Sequence, residues 1–405
     1  MMTAEHPERE LAEDGAGCLC YLRVILFCLA ATGLIYVGAV VLLDPFGLLG
    51  TRLLPPFGVR PNDGSERIVK ALEIAIRPYS VLLAGNSRVQ LGFDPQSPAL
   101  GGASAYNAGL PGATIPEQAA AVRYALRHNH SLKTVVWALD DDGLAREGAS
   151  ADFSRSPMAG AGRKWAMWRY LVGGKAALGM PLLLWRAGRR ERVRFDGLYV
   201  LSERAAQLAA AASFDLALRP MSNSSDARSA AAIAAARAAS ILLIDQTIET
   251  ACSKGIGVHL VLPPFHVWYG AVFAASGLAQ TSKPVATRHE LAYLARGLNQ
   301  RHGLGCVDIW DFTNSEMAMT SEVPGDRPSP VWWDAIHFRT DFGDEMLSCV
   351  FAACRLPAAQ RLDLVPDSVL DAAGATPGAI VRNWKAAHRE EAKALAARFG
   401  LGNRP

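Results

Sequence analysis

The side chains best suited to covalent chemistry in this sequence are a serine that closes a short apolar run and an Asp-x-x-His pair far down the chain. Residues 81–84, Val-Leu-Leu-Ala, lead into Gly85, Asn86 and Ser87. That is the pattern of a buried parallel strand ending in a tight turn that presents a hydroxyl. A serine hydroxyl is a weak nucleophile near neutral pH. It needs a base, and the base needs a carboxylate to hold it in one tautomer. Asp334 stands three residues before His337, so a single turn of chain can set its carboxylate on one imidazole nitrogen and leave the other for Ser87. The turn after a parallel strand also leaves backbone N–H groups free to stabilise an oxyanion. Alone, Gly-x-Ser reads as an ordinary turn with a capping serine; with the Asp-x-x-His pair it points to acyl transfer through a serine ester.

Three blocks, Gly85-Asn86-Ser87, Asn107-Ala108-Gly109 and Asp334-x-x-His337, resemble those of the SGNH (GDSL-like) hydrolase superfamily, and within it the membrane-anchored bacterial branch that includes envelope acyl-transfer proteins. The resemblance covers residues 80–353 and is strongest at its two ends. It implies a flavodoxin-like three-layer α/β/α domain behind a single N-terminal transmembrane helix. Ser87 matches the nucleophile and supplies one oxyanion donor through its own N–H; Gly109 matches the second donor; Asp334 and His337 complete the triad. Two departures stand out. Asn86 occupies the position where the family usually has Asp. The third block, normally a Gly-x-Asn-Asp turn that offers a side-chain amide, falls at residues 135–142, Val-Val-Trp-Ala-Leu-Asp-Asp-Asp, which contain no Asn. An ionised Asp has no hydrogen to donate, and losing one oxyanion donor costs about 10²–10³ in rate. Either Asn107 substitutes, or the chemistry is slow, or the block lies elsewhere. Asn86 and Arg88 beside the nucleophile, and His266 in the Pro263-Pro264-Phe265-His266 loop, are candidates for substrate contact.

The elements that must position these residues follow an α/β alternation. Ile68, Val69, Leu72 and Ile76 have helical spacing ahead of the Ser87 strand. Thr114 and Pro116 open a helix that runs to residue 128, and a strand is expected at 133–139. A long Ala-rich helix over 226–254, a buried strand at 257–262, a helix over 287–301, a last strand at 306–310 and a closing helix over 340–353 complete the pattern. Strands alternating with helices argue for a parallel sheet covered on both faces. Residues 143–240 fit this scheme poorly and read as a helical insertion. Trp165, Trp168, Trp185 and the basic residues 189–194 would suit a helix at a membrane surface or a lid, although an amphipathic insertion with a solvated basic end is the plainer account. Residues 354–405 are expected to be peripheral.

With 405 residues, 50% hydrophobic and 20% charged, the chain suits one large domain with insertions or two domains. A net charge of +3, with no basic stripe interleaved with aromatics, argues against nucleic acid as a partner. Residues 1–17 are polar and acidic and read as a disordered tail. Residues 24–43 form an uninterrupted uncharged run, long enough at about 1.5 Å per residue to cross the hydrocarbon core of a bilayer. They place a membrane anchor at 18–45, with a linker and leading helix at 46–79. Arg9 and Arg23 balance Arg52 and Arg60 across the run, so charge leaves orientation open. A bacterial cytoplasmic membrane with the large domain outside is the expectation, and it rests partly on the resemblance. Seven cysteines show no metal-ligand spacing; Cys349 and Cys354 suit a bridge or merely adjacent helical turns. No Gly-rich phosphate loop precedes a helix, so neither metal nor cofactor is expected. The expected function is a membrane-tethered serine esterase or O-acyltransferase acting on ester-linked acyl groups of cell-envelope polysaccharide or lipid. A membrane acyltransferase would be its partner in the transfer version. The competing reading is a non-catalytic glycan-binding or assembly protein of the envelope.

Overall fold

Val81, Leu82, Leu83 and Ala84 are all buried, and they alternate between two cores. Val81 and Leu83 face one layer of helices, Leu82 and Ala84 the other, as the two-residue repeat of a strand requires. The computed structural model describes residues 7–44, 48–49, 59–61, 66–173, 192–201, 214, 216–220, 226–303, 305–321, 329–357 and 359–401. In chain order, helix α1 (Pro7–Leu43) precedes β1 (Val59–Pro61), α2 (Glu66–Ile76), β2 (Val81–Ala84), α3 (Ser87–Gly92), β3 (Ala105–Asn107), α4 (Ile115–His128) and β4 (Thr134–Ala138). Then come α5 (Arg163–Val172), β5 (Arg192–Arg194), β6 (Tyr199–Val200), α6 (Ala230–Cys252), β7 (Gly257–Leu262), α7 (Val267–Ala275), α8 (Pro284–His302) and β8 (Val307–Asp311). The chain ends with a short α9 (Glu316–Met319), α10 (Thr340–Phe351), β9 (Gln360–Arg361), α11 (Asp367–Ala387) and α12 (Arg389–Arg398).

The main sheet has the order β3-β2-β4-β7-β8-β9, parallel except for β9. The chain leaves β2 for β3 on one side and returns to β4 on the other. This makes a topological switch point at the C-terminal end of β2, where doubly wound sheets place their ligands. One face is covered by α2, α4, α6 and α8, through Ile74, Val122, Ile244 and Leu291. The other is covered by α3, α7, α10, α11 and α12, through Val89, Val272, Met346 and Trp384. Each fully buried aliphatic side chain contributes about 1.5–3 kcal/mol relative to exposure.

Several expectations are corrected. Helix begins at Pro7, so residues 7–17 are not a disordered tail; Glu8, Arg9, Glu10, Leu11, Ala12 and Glu13 are strong helix formers that extend the apolar helix backwards. Within α1, Leu19–Leu42 is long and apolar enough to cross a membrane, with a mean hydropathy of 2.5. Helix α6 is of comparable length, but it buries Ile233, Ile244 and Ile248 and packs against α4 as a core helix. The strand at 306–310 is not the last, because β9 adds an antiparallel edge with Trp310 opposite Arg361. Nor is the C-terminal segment peripheral. Leu370, Ala373, Pro377, Ile380, Val381 and Trp384 line one face of α11 and are buried against α7 and α8. Gly374 permits this approach, since a Cβ there would stand 2.5 Å from Val285 Cα.

The insertion is not wholly helical either. Strands β5 and β6 form a small antiparallel sheet with β1. Helix α5 packs on α1 and α2: Ala166 is buried with Val40, Val69 and Leu72, and the Tyr36 hydroxyl donates to Gly173 O at 3.0 Å. Trp165 and Trp168 remain 58% and 57% exposed beside the apolar helix. Trp185 and residues 189–191 of the basic cluster lie outside the described residues. Among the described residues two disulfides occur, Cys349–Cys354 and Cys252–Cys306. The second joins the end of α6 to the start of β8 and has no spacing signal in the sequence.

Candidate active site

Strand β2 must turn sharply at Gly85 to release α3. A Cβ at Gly85 would collide with Val89 Cγ2 and lie 3.1 Å from Ala138 O, so only glycine lets the turn close against β4. Asn86 caps the new helix, its Oδ1 accepting from Arg88 N at 2.9 Å. Ser87 is the first residue of α3, and among the described residues nothing accepts from its N–H.

The histidine arrives on a turn closed by the Trp332–Phe338 bridge and by Trp333 N–H to His337 O at 2.8 Å. Asp334 builds the interior of that turn. Its Oδ1 accepts from the N–H groups of Ile336 and His337, each at 2.8 Å, and its Oδ2 meets His337 Nδ1 at 2.7 Å. His337 Nε2 then lies 2.8 Å from Ser87 Oγ. Burial alone would push the Asp334 carboxyl up, but the facing His337 and the two backbone N–H groups outweigh it and hold the group below the usual carboxylate range. Ionised Asp334 keeps the proton on Nδ1 and turns the Nε2 lone pair towards the serine. The turn is fastened to the core. Trp332 Nε1 donates to Ala318 O at 2.7 Å, and Phe338 packs on Phe93 in the space left by Gly92.

Asn107 and Gly109 do something other than expected. Asn107 is fully buried; its Nδ2 donates to Val89 O at 2.7 Å and Phe93 O at 2.8 Å, and its Oδ1 accepts from Gly109 N at 2.9 Å. Both amide hydrogens therefore terminate α3, whose last carbonyls need donors in a dry place. The expected substitution of Asn107 for the missing oxyanion amide is ruled out by this geometry, and the Gly109 N–H is already engaged. Glycine is needed at 109 for another reason: a Cβ there would sit 2.8 Å from Gln90 Cα and 2.9 Å from Asn86 O. Beneath this loop lies a residue that sequence reasoning missed. Lys70, on α2, is fully buried and donates to the carbonyls of Asn107, Gly109 and Gly197 at 3.0, 2.6 and 2.9 Å. Its only sequence signal is a lysine set between Val69 and Leu72 on an apolar stripe.

At the end of β4, where the resemblance implies an amide, Asp140 is held by Asn86 Nδ2 and by Arg88 Nη1, the latter at 2.5 Å. Arg88 is only 6% exposed, and its Cζ stands 5.8 Å from the centroid of the Phe338 ring. Asn86 thus shapes the turn, and Arg88 is the substrate-contact candidate left beside the nucleophile. His266 is not one. It is 1% exposed, caps α7 by accepting from Trp268 N at its Nδ1, and places its Nε2 2.9 Å from Ser321 O. Burial lowers its pKa to about 4, leaving a neutral structural imidazole.

A cavity of about 400 Å³ opens between the C-terminal ends of β4 and β7 and helix α11. Its lining includes Arg88, Asp140, Phe265, Tyr269, Val381 and Lys385. Among the described residues no group of His, Cys, Asp and Glu has an arrangement that would hold a metal. Comparisons with protein-family models, with curated proteins and with solved structures gave no match to this chain.

Proposed function

We propose that this protein is a serine acyl-transfer enzyme of the SGNH type, tethered to a membrane by α1 and acting on ester-linked acyl groups of cell-envelope polysaccharide or lipid. The observation that carries the reading is the continuous relay from Asp334 Oδ2 through both nitrogens of His337 to Ser87 Oγ, with contacts of 2.7 and 2.8 Å. In this mechanism His337 Nε2 takes the Ser87 proton as Oγ attacks the acyl carbonyl carbon. The Ser87 N–H supports the developing oxyanion. His337 returns the proton to the departing alkoxide, leaving an acyl-serine and a free alcohol. Water, or a sugar hydroxyl deprotonated by His337, then attacks the acyl-serine and regenerates Ser87.

The apolar stretch Leu19–Leu42 supports the tether, and the exposed Trp165 and Trp168 beside it suit the interfacial zone of a bilayer. Two disulfides suit an oxidising compartment, hence the outer side of a bacterial cytoplasmic membrane. In the transfer version a membrane acyltransferase would supply the acyl group. The engaged Gly109 N–H favours a second reading, a glycan-binding protein without turnover. Labelling the full-length protein in detergent with a fluorophosphonate, followed by peptide mass spectrometry, separates the two. An adduct on Ser87 that is lost in His337→Ala supports acyl transfer. Folded protein that stays unlabelled supports the binding role.

A further inference from the structure

Helix α5 turns two tryptophans away from the domain. At about 100° per residue, Lys164, Trp168, Trp165 and Arg169 follow one another around one arc of the helix, with the two indoles between the two cations. All four side chains are exposed. Ala166 and Met167 fall on the opposite arc, where Ala166 is buried with Val40, Val69 and Leu72 and Met167 packs against them. The arc that faces the domain is therefore already covered, and the outer one is not. Helix α1, which α5 touches, exposes Leu34 and Ile35, so the two rings extend an apolar surface that continues into the span.

The level of α5 along α1 points to what covers it. Leu19–Leu42 extends about 36 Å at about 1.5 Å per residue, about 6 Å more than a hydrocarbon core. Tyr36, which donates to Gly173 O at the end of α5, stands about 9 Å before Leu42, and Val40, packed with Ala166, about 3 Å before it. The domain grips the anchor over its last turns, and α5 lies where the core meets the headgroups. Tryptophan and tyrosine concentrate at that level, and lysine and arginine beside them reach the phosphates. The charge has the matching sign. Arg163, Lys164 and Arg169 on α5, with Arg123 and Arg127 on α4, pair with no carboxylate among the described residues. The two helices share this positive surface: partial burial, then Arg163 and Arg127, lower the pKa of His128.

We infer that α5 is a membrane-surface helix whose partner is a layer of anionic phospholipid headgroups, with Trp165 and Trp168 in the interfacial zone and Lys164 and Arg169 on the phosphates. The inference rests on the tether of the proposed function and on none of its serine chemistry. It makes the domain a body seated on the bilayer. The seat adjoins the candidate site through α2: Val69 is buried in the cluster with Val40 and Ala166, and the next residue, Lys70, holds the carbonyls of Asn107 and Gly109.

Photolabelling of the full-length protein in phosphatidylcholine vesicles tests this. The vesicles carry a trace of phosphatidylglycerol or, separately, of phosphatidylcholine with a diazirine at headgroup level, and peptide mass spectrometry places the adducts. Residues 163–169 should be labelled, at least about threefold more by the phosphatidylglycerol probe, and added salt should narrow the ratio. Lys164→Gln with Arg169→Gln should bring the ratio close to one. Trp165→Ser with Trp168→Ser should lower labelling of 163–169 by both probes, about fivefold. All four side chains are exposed, so neither variant should move the thermal midpoint. Equal labelling by the two probes overturns the inference, as does a ratio unchanged in the charge variant or labelling unchanged in the tryptophan variant. Adducts within 19–42 report the tether separately. Labelled 19–42 with bare 163–169, the result a protein-binding face would give, overturns this inference and leaves the tether; labelled 163–169 with bare 19–42 refutes the tether and leaves the lipid surface.

Discussion

The Asn107–Gly109 segment and the Asp334–His337 turn are both short, polar and set at the switch point, yet they direct their hydrogen bonds oppositely. Asp334 divides its two oxygens, one closing its own turn and the other orienting His337 towards Ser87. Asn107 gives every polar atom of its side chain to backbone, terminating α3 and engaging Gly109. A local Asp-x-x-His turn satisfies its own backbone and has a carboxylate oxygen left over for chemistry. A buried asparagine facing the end of a six-residue helix has nothing left over.

That contrast can be broken or sharpened by experiment. The largest effect is expected at the turn: Ser87→Ala or His337→Ala should lower hydrolysis of an activated ester by about 10⁴-fold or more without moving the thermal midpoint. If either variant kept its activity, the relay would not be the engine of the reaction. Asn107→Ala should do the reverse, removing about 2–3 kcal/mol of stability by taking the donor from Phe93 O and the acceptor from the Gly109 N–H, while Val89 O keeps the Phe93 N–H. Its folded fraction should still label at Ser87. Loss of labelling at unchanged stability would return Asn107 to the oxyanion role.

His266 provides a comparison in pH. Its folded pKa, about 4, lies below the ordinary histidine value near 6.5, so the unfolded chain takes up a proton first as pH falls. The associated stability is complete above pH 6.5 and is lost on going down towards pH 4, by about 3 kcal/mol. Chemical denaturation across that window should show the loss, and His266→Gln should abolish this contribution. Asp334 acts lower, since its stabilisation is present above about pH 3.9 and disappears as pH falls through its depressed folded value. The smallest effect belongs to Gly109→Ala, which should cost about 1–3 kcal/mol through crowding against Gln90 and Asn86, measured as a lower denaturant midpoint.

What can be read along the chain explains which parts were legible. Strands at 257–262 and near 134–138, and helices near 66–76 and 287–301, declare themselves because hydrophobic period and turn residues are local signals. Residues 7–17 were misread because acidic composition suggests disorder while the same residues favour helix when an apolar helix continues from them. The core face of α11 was present in the spacing of Leu370, Pro377, Val381 and Trp384, but Gly374 and Pro377 disguised it. Lys70 looked like a stray charge because its acceptors come from loops near residues 107 and 197, which only folding brings to it.

Sequence alone determined the elements of an α/β sheet, a helix apolar enough to span a membrane, and the residue types that make a serine relay, since each depends on neighbours a few positions apart. Tertiary structure alone decided that Ser87 and His337 meet, that Asn107 and His266 are structural, that Cys252 pairs with Cys306, and that Arg88 pairs with Asp140. The reason is one of accounting: a buried polar group takes whichever partner the fold sets within about 3 Å. That partner is chosen in space, among segments that the order of residues leaves far apart.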